Sequence, residues 1–123
     1  MREVEKNIIS FIRNNWENQG ERINKTFSMR DYAEVTENAI RIFLWGSLIF
    51  SIDKKSNTCF FCFHGYMTNT TKSRINCLLS AFSTGGISQK NWELFYTSHN
   101  GNYIAKVDST KQYKVIDGKI ESI

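Results

Sequence analysis

Apolar positions recur at helical spacing near the start of the chain. Val4, Ile8, Phe11, Ile12 and Trp16 share one face of a helix over Glu3–Trp16, with charged and amide residues opposite. The stretch from Asn14 to Asn24 is polar, and Gly20 marks the helix exit. Between Thr26 and Val35 the pattern becomes alternation (Phe27, Met29, Asp31, Ala33, Val35). That favours a strand, although Ser28 and Asp31 also suit the start of a short helix. The runs Ile40–Trp45 and Leu48–Ile52 flank a tight turn at Gly46-Ser47, and Asp53–Asn57 turns the chain into a third run, Thr58–His64. Phe60 on one face of that run, and Phe61 and Phe63 on the other, place it centrally in an antiparallel meander.

Ile75, Leu78, Leu79 and Phe82 predict a second helix over residues 71–82, with Thr70 or Thr71 as N-cap and Gly85-Gly86 as a left-handed exit. Strands follow at Trp92–Thr97, Tyr103–Val107, Tyr113–Ile116 and Lys119–Ile123, the last two joined by an Asp117-Gly118 hairpin. The expected fold is α+β in a single domain, 1–123. It has a mostly antiparallel sheet (central meander about 39–64), with the N-terminal helix and the helix at about 71–82 packed on it.

Composition adds little to that fold but narrows the chemistry. With 41% hydrophobic residues in 123 the chain can bury a core, and no apolar run approaches a membrane span. The first six residues lack the layout of a signal peptide, so a cytoplasmic protein of a bacterial host, without a membrane partner, is expected. Cys59, Cys62 and Cys77 are an odd number of thiols. Cys59 and Cys62 lie three apart on a strand, hence on opposite faces, and no second pair exists, so no metal site is expected. Residues 1–53 carry seven basic and eight acidic side chains, and residues 93–123 carry four of each. Lys54, Lys55, Lys72, Arg74 and Lys90 fall between, with no acid among residues 54–92, so the whole excess of +4 arises there. Such a patch suits a polyanion or an acidic surface.

That segment holds the second helix's first turn, where a helix favours acids rather than cations by ~0.3–1 kcal/mol each. Lys72 and Arg74 stand there among Thr68, Thr70, Thr71 and Ser73. Free N–H groups, hydroxyls and cations together would receive a phosphate or carboxylate. The ordinary alternative is a solvated basic face. A P-loop is excluded by spacing, because Lys72-Ser73 follows Gly65 one residue too late and Thr71 replaces the second glycine. His64 reads as a satisfied residue ending a buried strand and His99 as a solvated turn residue. Neither has a carboxylate partner by spacing, and no cofactor is implied. Tyr66 is the best candidate for base stacking, whereas Trp45 and Trp92 read as packing residues.

The run Gly65, Thr68, Thr70-Thr71-Lys72, Arg74-Ile75-Asn76 and Leu78-Leu79 resembles a signature in small proteins of phages and other mobile elements. Leu44–Ile49, Gly86–Lys90 and Trp92 are similar to its flanking pattern, so the likeness covers about residues 40–95. Ser47 stands where asparagine is usual, and Phe61-Cys62-Phe63 is more aromatic than usual. The resemblance implies a source in a phage or related mobile element and, by analogy, an inhibitor of host defence such as an anti-CRISPR protein. The expected function is that of a non-enzymatic binding protein engaging a host protein or ribonucleoprotein complex that handles nucleic acid. Thr70, Thr71, Lys72, Ser73 and Arg74 would make the contact, with Tyr66, Lys54 and Lys55 in support. The alternatives are a direct DNA- or RNA-binding accessory protein and, more distantly, a metal-free phosphodiesterase using His64, Lys72 and Arg74. An exposed edge strand would also make a homodimer easy.

Overall fold

The computed structural model describes residues 1–123. Its order is α1 (Glu3–Asn14), β1 (Ile23–Thr26), β2 (Asp31–Val35), β3 (Ala39–Leu44), β4 (Ser47–Asp53), β5 (Thr58–Cys62), α2 (Asn69–Phe82), β6 (Gly85–Lys90), β7 (Glu93–Ser98), β8 (Tyr103–Val107), β9 (Gln112–Ile116) and β10 (Lys119–Ser122). This is the expected α+β fold, but its strands form two sheets rather than one. A seven-stranded sheet runs β1-β2-β3-β4-β5-β9-β10, and a three-stranded sheet runs β6-β7-β8. Every pairing is antiparallel. No helix is long and apolar enough to cross a membrane.

Alternation decides which faces are buried. Ala33 and Val35 of β2, Ile40, Ile42 and Leu44 of β3, and Cys59 and Phe61 of β5 point into one core, with Phe60 on the opposite, half-buried face. Ile8, Ile9 and Ile12 of α1 and Ile75, Leu78 and Leu79 of α2 cover that face. Leu94, Tyr96 and Val107 of the smaller sheet join the same core. Between Ile42↔Phe50 and Phe43↔Leu48 the register slips, leaving Ile49 as an extra residue of β4. This bulge lets Ile49 and Phe50 both be buried and turns Ile49 toward the start of α2.

Several boundaries differ from the sequence pattern. Residues 26–35 are not one strand, because the chain reverses between β1 and β2. Ser28 Oγ accepts the N–H groups of Arg30 and Asp31 and donates to Asp31 Oδ2 at 2.6 Å, so the pair that suited a helix start makes a turn. The first hairpin turns on Trp45-Gly46, not Gly46-Ser47. The N-cap of α2 is Thr68, whose hydroxyl accepts the Thr71 N–H at 3.2 Å, rather than Thr70 or Thr71. Gly85 and Gly86 are not a left-handed exit but the first residues of β6. A Cβ on Gly85 would lie 2.3 Å from the Thr97 carbonyl oxygen, and one on Gly86 would lie 2.5 Å from Asn76 Oδ1. His64 is exposed, not a core residue, and its Nε2 donates to the Leu48 carbonyl at 2.6 Å.

Candidate functional site

The first turn of α2 has no acid of its own. Because α2 begins at Asn69, Ser73 and Arg74 fall in its second turn rather than its first, and the acids that meet them come from elsewhere in the chain. Arg74 is 1% exposed, and its Nε donates to Asp31 Oδ1 at 2.7 Å while its Nη1 donates to Glu5 Oε2 at 2.8 Å. Its Nη2 reaches Asp31 Oδ2 at 3.2 Å. Glu5 also accepts from Ser73 Oγ at 2.6 Å, from the Arg2 N–H at 3.0 Å and from Cys77 Sγ at 3.3 Å. Burial would raise the Glu5 carboxyl, but these hydrogen bonds outweigh it and bring the pKa down to about 2. Asp31 is likewise opposed by burial, yet the Arg74 and Ser28 hydrogen bonds hold it below the usual range. The same carboxylates raise Arg74 against its own desolvation. Burial, with Glu5 beside it, pushes the Cys77 thiol up to about 11, and burial alone does the same for Cys59.

Arg74 therefore faces inward, and the anion it holds belongs to the protein. Ser73 serves the same cluster through Glu5. Thr71 is buried, with its hydroxyl 3.0 Å from that of Thr68. Lys54 donates to the Asn18 and Thr36 carbonyls at 3.1 and 3.0 Å. Lys55 is exposed, but the β4–β5 turn that carries it lies at the opposite end of the sheet from Trp45. These five residues do not combine into one exposed anion site. A catalytic set of His64, Lys72 and Arg74 is also excluded, because Arg74 is enclosed by its carboxylates.

Tyr66 and Thr70 do come together at the surface, whereas Lys72 is half-buried and lies outside the group they form. Tyr66 and Thr70 line a cleft of about 490 Å³ with Arg30, Leu44, Trp45, Ile49, Thr68 and Thr71. The Trp45 N–H donates to the Arg30 carbonyl at 2.8 Å, which fixes one wall. Gly65 N–H to the Ser109 carbonyl, at 2.7 Å, and Tyr66 N–H to the Phe63 carbonyl, at 2.9 Å, fix the other. Lys72 donates to Gln89 on β6, and the Ile87 N–H donates to Asn76 Oδ1 at 2.8 Å. Those two contacts run β6 back along α2, so the β6–β7 turn projects at the same end as the cleft.

That turn is Asn91-Trp92, with φ of 52° and 65°, and the β3–β4 turn is Trp45-Gly46, with φ of 50° and 79°. Both are two-residue hairpin turns in the left-handed region, as is Asp117-Gly118 at 51° and 74°. Only the last has the residues such a turn favours. Trp45 stands where Asn or Asp is preferred and Trp92 where Gly is preferred. The two residues are 68% and 87% exposed, so neither is the packing residue that the sequence pattern suggested.

A family model described as Kyanoviridae Gp96 protein matches residues 1–113. The chain belongs to that family. It is a family of phage proteins, as the resemblance implied, and the Gp96 match extends well beyond residues 40–95 to take in α1 and β8. Both tryptophan turns, the cleft and the Glu5–Arg74–Asp31 cluster lie inside it. No curated protein and no solved structure matches the chain.

Proposed function

We propose that this phage protein is a non-enzymatic binding protein that engages a host nucleic-acid-handling complex as an anti-defence inhibitor of the anti-CRISPR type. The observation that carries the proposal is the pair of tryptophans at the hairpin tips. A non-glycine residue in the left-handed region is strained by ~1–3 kcal/mol. Here the strained residues are large, apolar and mostly turned to solvent, so little packing offsets the strain. Trp, Tyr and Arg dominate the residues that anchor protein interfaces. Trp45, Tyr66 and Arg30 line the cleft together, and Trp92 stands exposed on the turn that follows β6, whose Gln89 meets Lys72 near the start of α2. The phage origin supports a reading in which the partner is host machinery.

Two substitutions separate folding from function. Trp92→Gly creates Asn-Gly and Trp45→Asn again creates Asn-Gly, the residues this turn type favours. Each is expected to raise Tm by a few degrees, corresponding to relief of ~1 kcal/mol. Each should also lose the partner. Affinity capture from host lysate, with the parent and both variants side by side, tests this directly. A nucleic-acid-handling complex retained by the parent and released by the more stable variants is the expected result. Equal capture by all three, or no such complex on the parent, ends the proposal.

A further inference from the structure

We infer that the cleft between Trp45 and Tyr66 seats a nucleobase carrying a phosphate, either a free nucleotide or one unit of a single strand. This rests on the reading above that this end of the molecule is its contact surface. A volume of about 490 Å³ lies in the range of small-molecule sites. Its walls carry two exposed aromatic rings, Trp45 and Tyr66, and Leu44 and Ile49 of β3 and β4 add apolar lining. Rings of this kind stack on any flat base. The Thr68 hydroxyl is taken up by Thr71, but the Thr70 hydroxyl, which accepts only from Arg2 Nη1, keeps its proton to donate to a base edge.

Arg30 is the one charged residue lining the cleft, and no carboxylate lines it. Its Nε lies 3.7 Å from Asp31 Oδ2, an oxygen already held by Arg74 and Ser28, so the guanidinium fork stays open to a phosphate. Arg2 stands alongside, its Nη1 3.4 Å from Thr70 Oγ1. An apolar side chain of a partner protein would leave these donors unpaired, which disfavours it.

The test titrates the full chain with a short oligothymidylate, the matching oligouridylate and uridine monophosphate, reading tryptophan fluorescence and the anisotropy of labelled strands. Binding should quench the signal, and Trp45→Asn should abolish that quenching while leaving the fold intact. Tyr66→Ala should weaken affinity ~10-fold or more, as loss of one stacked base does. Arg30→Gln should flatten the salt dependence of a strand by ~0.7, the value for one phosphate contact. Lys55→Gln, at the opposite end of the sheet, should bind the probes like the parent. A monophosphate that competes with the oligonucleotides identifies a free nucleotide as ligand, and binding of oligonucleotides alone identifies a strand. No binding of any probe, or affinity unmoved by Trp45→Asn and Tyr66→Ala, overturns the inference. A parent protein that binds none of the probes yet still captures the complex sinks the cleft assignment alone. The converse sinks the functional reading alone.

Discussion

Arg74 is the residue on which the start of α2 depends. A buried guanidinium is tolerated because Glu5 and Asp31 satisfy it from two other elements, 69 and 43 positions away. Removing it strands two carboxylates in the core, so Arg74→Met should destabilise the fold by ~3–5 kcal/mol in chemical denaturation. Adding Glu5→Gln and Asp31→Asn should recover part of that loss, because neutral amides need no counter-ion; a triple variant no more stable than Arg74→Met would contradict this account. The pH dependence has a definite sign. Glu5 drops from an ordinary value of 4.5 to about 2 on folding, and Asp31 also drops from 3.8. A carboxyl with a depressed folded pKa stabilises above its unfolded value and ceases to do so as pH falls through the folded one. Full stability is therefore expected above about pH 5, with progressive loss toward about pH 2 that is shallower in Arg74→Met, as thermal melts across that window would show.

At the scale of elements, β6 explains what the sequence concealed. Gly-Gly-Ile-Ser-Gln-Lys has one large apolar residue and no alternation, so periodicity does not mark it as a strand. Its contacts are made by the lack of side chains: Gly85 lies against Tyr96 and the Thr97 backbone, and Gly86 lies against Asn76. Gly85→Ala puts a methyl group against backbone that cannot move aside, and should lower stability by at least ~1–3 kcal/mol. Gly86→Ala meets a side-chain oxygen and should be milder, losing mainly the Asn76 bond to the Ile87 N–H; equal denaturation midpoints for the two would refute the distinction. By contrast α1, the meander and the last strands were legible, because their apolar positions follow the periods of helix and strand. β1 was hidden by its exposure, since Asn24, Lys25 and Thr26 bury nothing. At the site, the sequence marked Tyr66 and Thr70, which reach the surface, but reversed Arg74 and both tryptophans. Arg74 misled because its partners are remote in the chain. Trp45 and Trp92 misled because aromatics at hairpin ends usually pack, and only the backbone φ exposes the strain.

At the scale of the whole molecule, the smaller sheet has no core of its own. Three short strands seldom bury enough to stand alone without something packed on them. Leu94, Tyr96 and Val107 are buried in the cluster that also contains Ile8, Val35 and Phe61, and α2 packs against β4 and β5 as well as β6. The two sheets should therefore unfold together, although no strand of one pairs with a strand of the other. Native-state hydrogen exchange tests this. Amides of β7, the central strand of its sheet, should open with the same free energy as those of β4, and Gly85→Ala should lower both by equal amounts. If β6–β8 exchanged at a lower free energy while β3–β5 kept theirs, the smaller sheet would be a separable unit. The Trp92 turn would then move independently of the cleft, and the end of the molecule that carries both tryptophans would not act as one rigid surface.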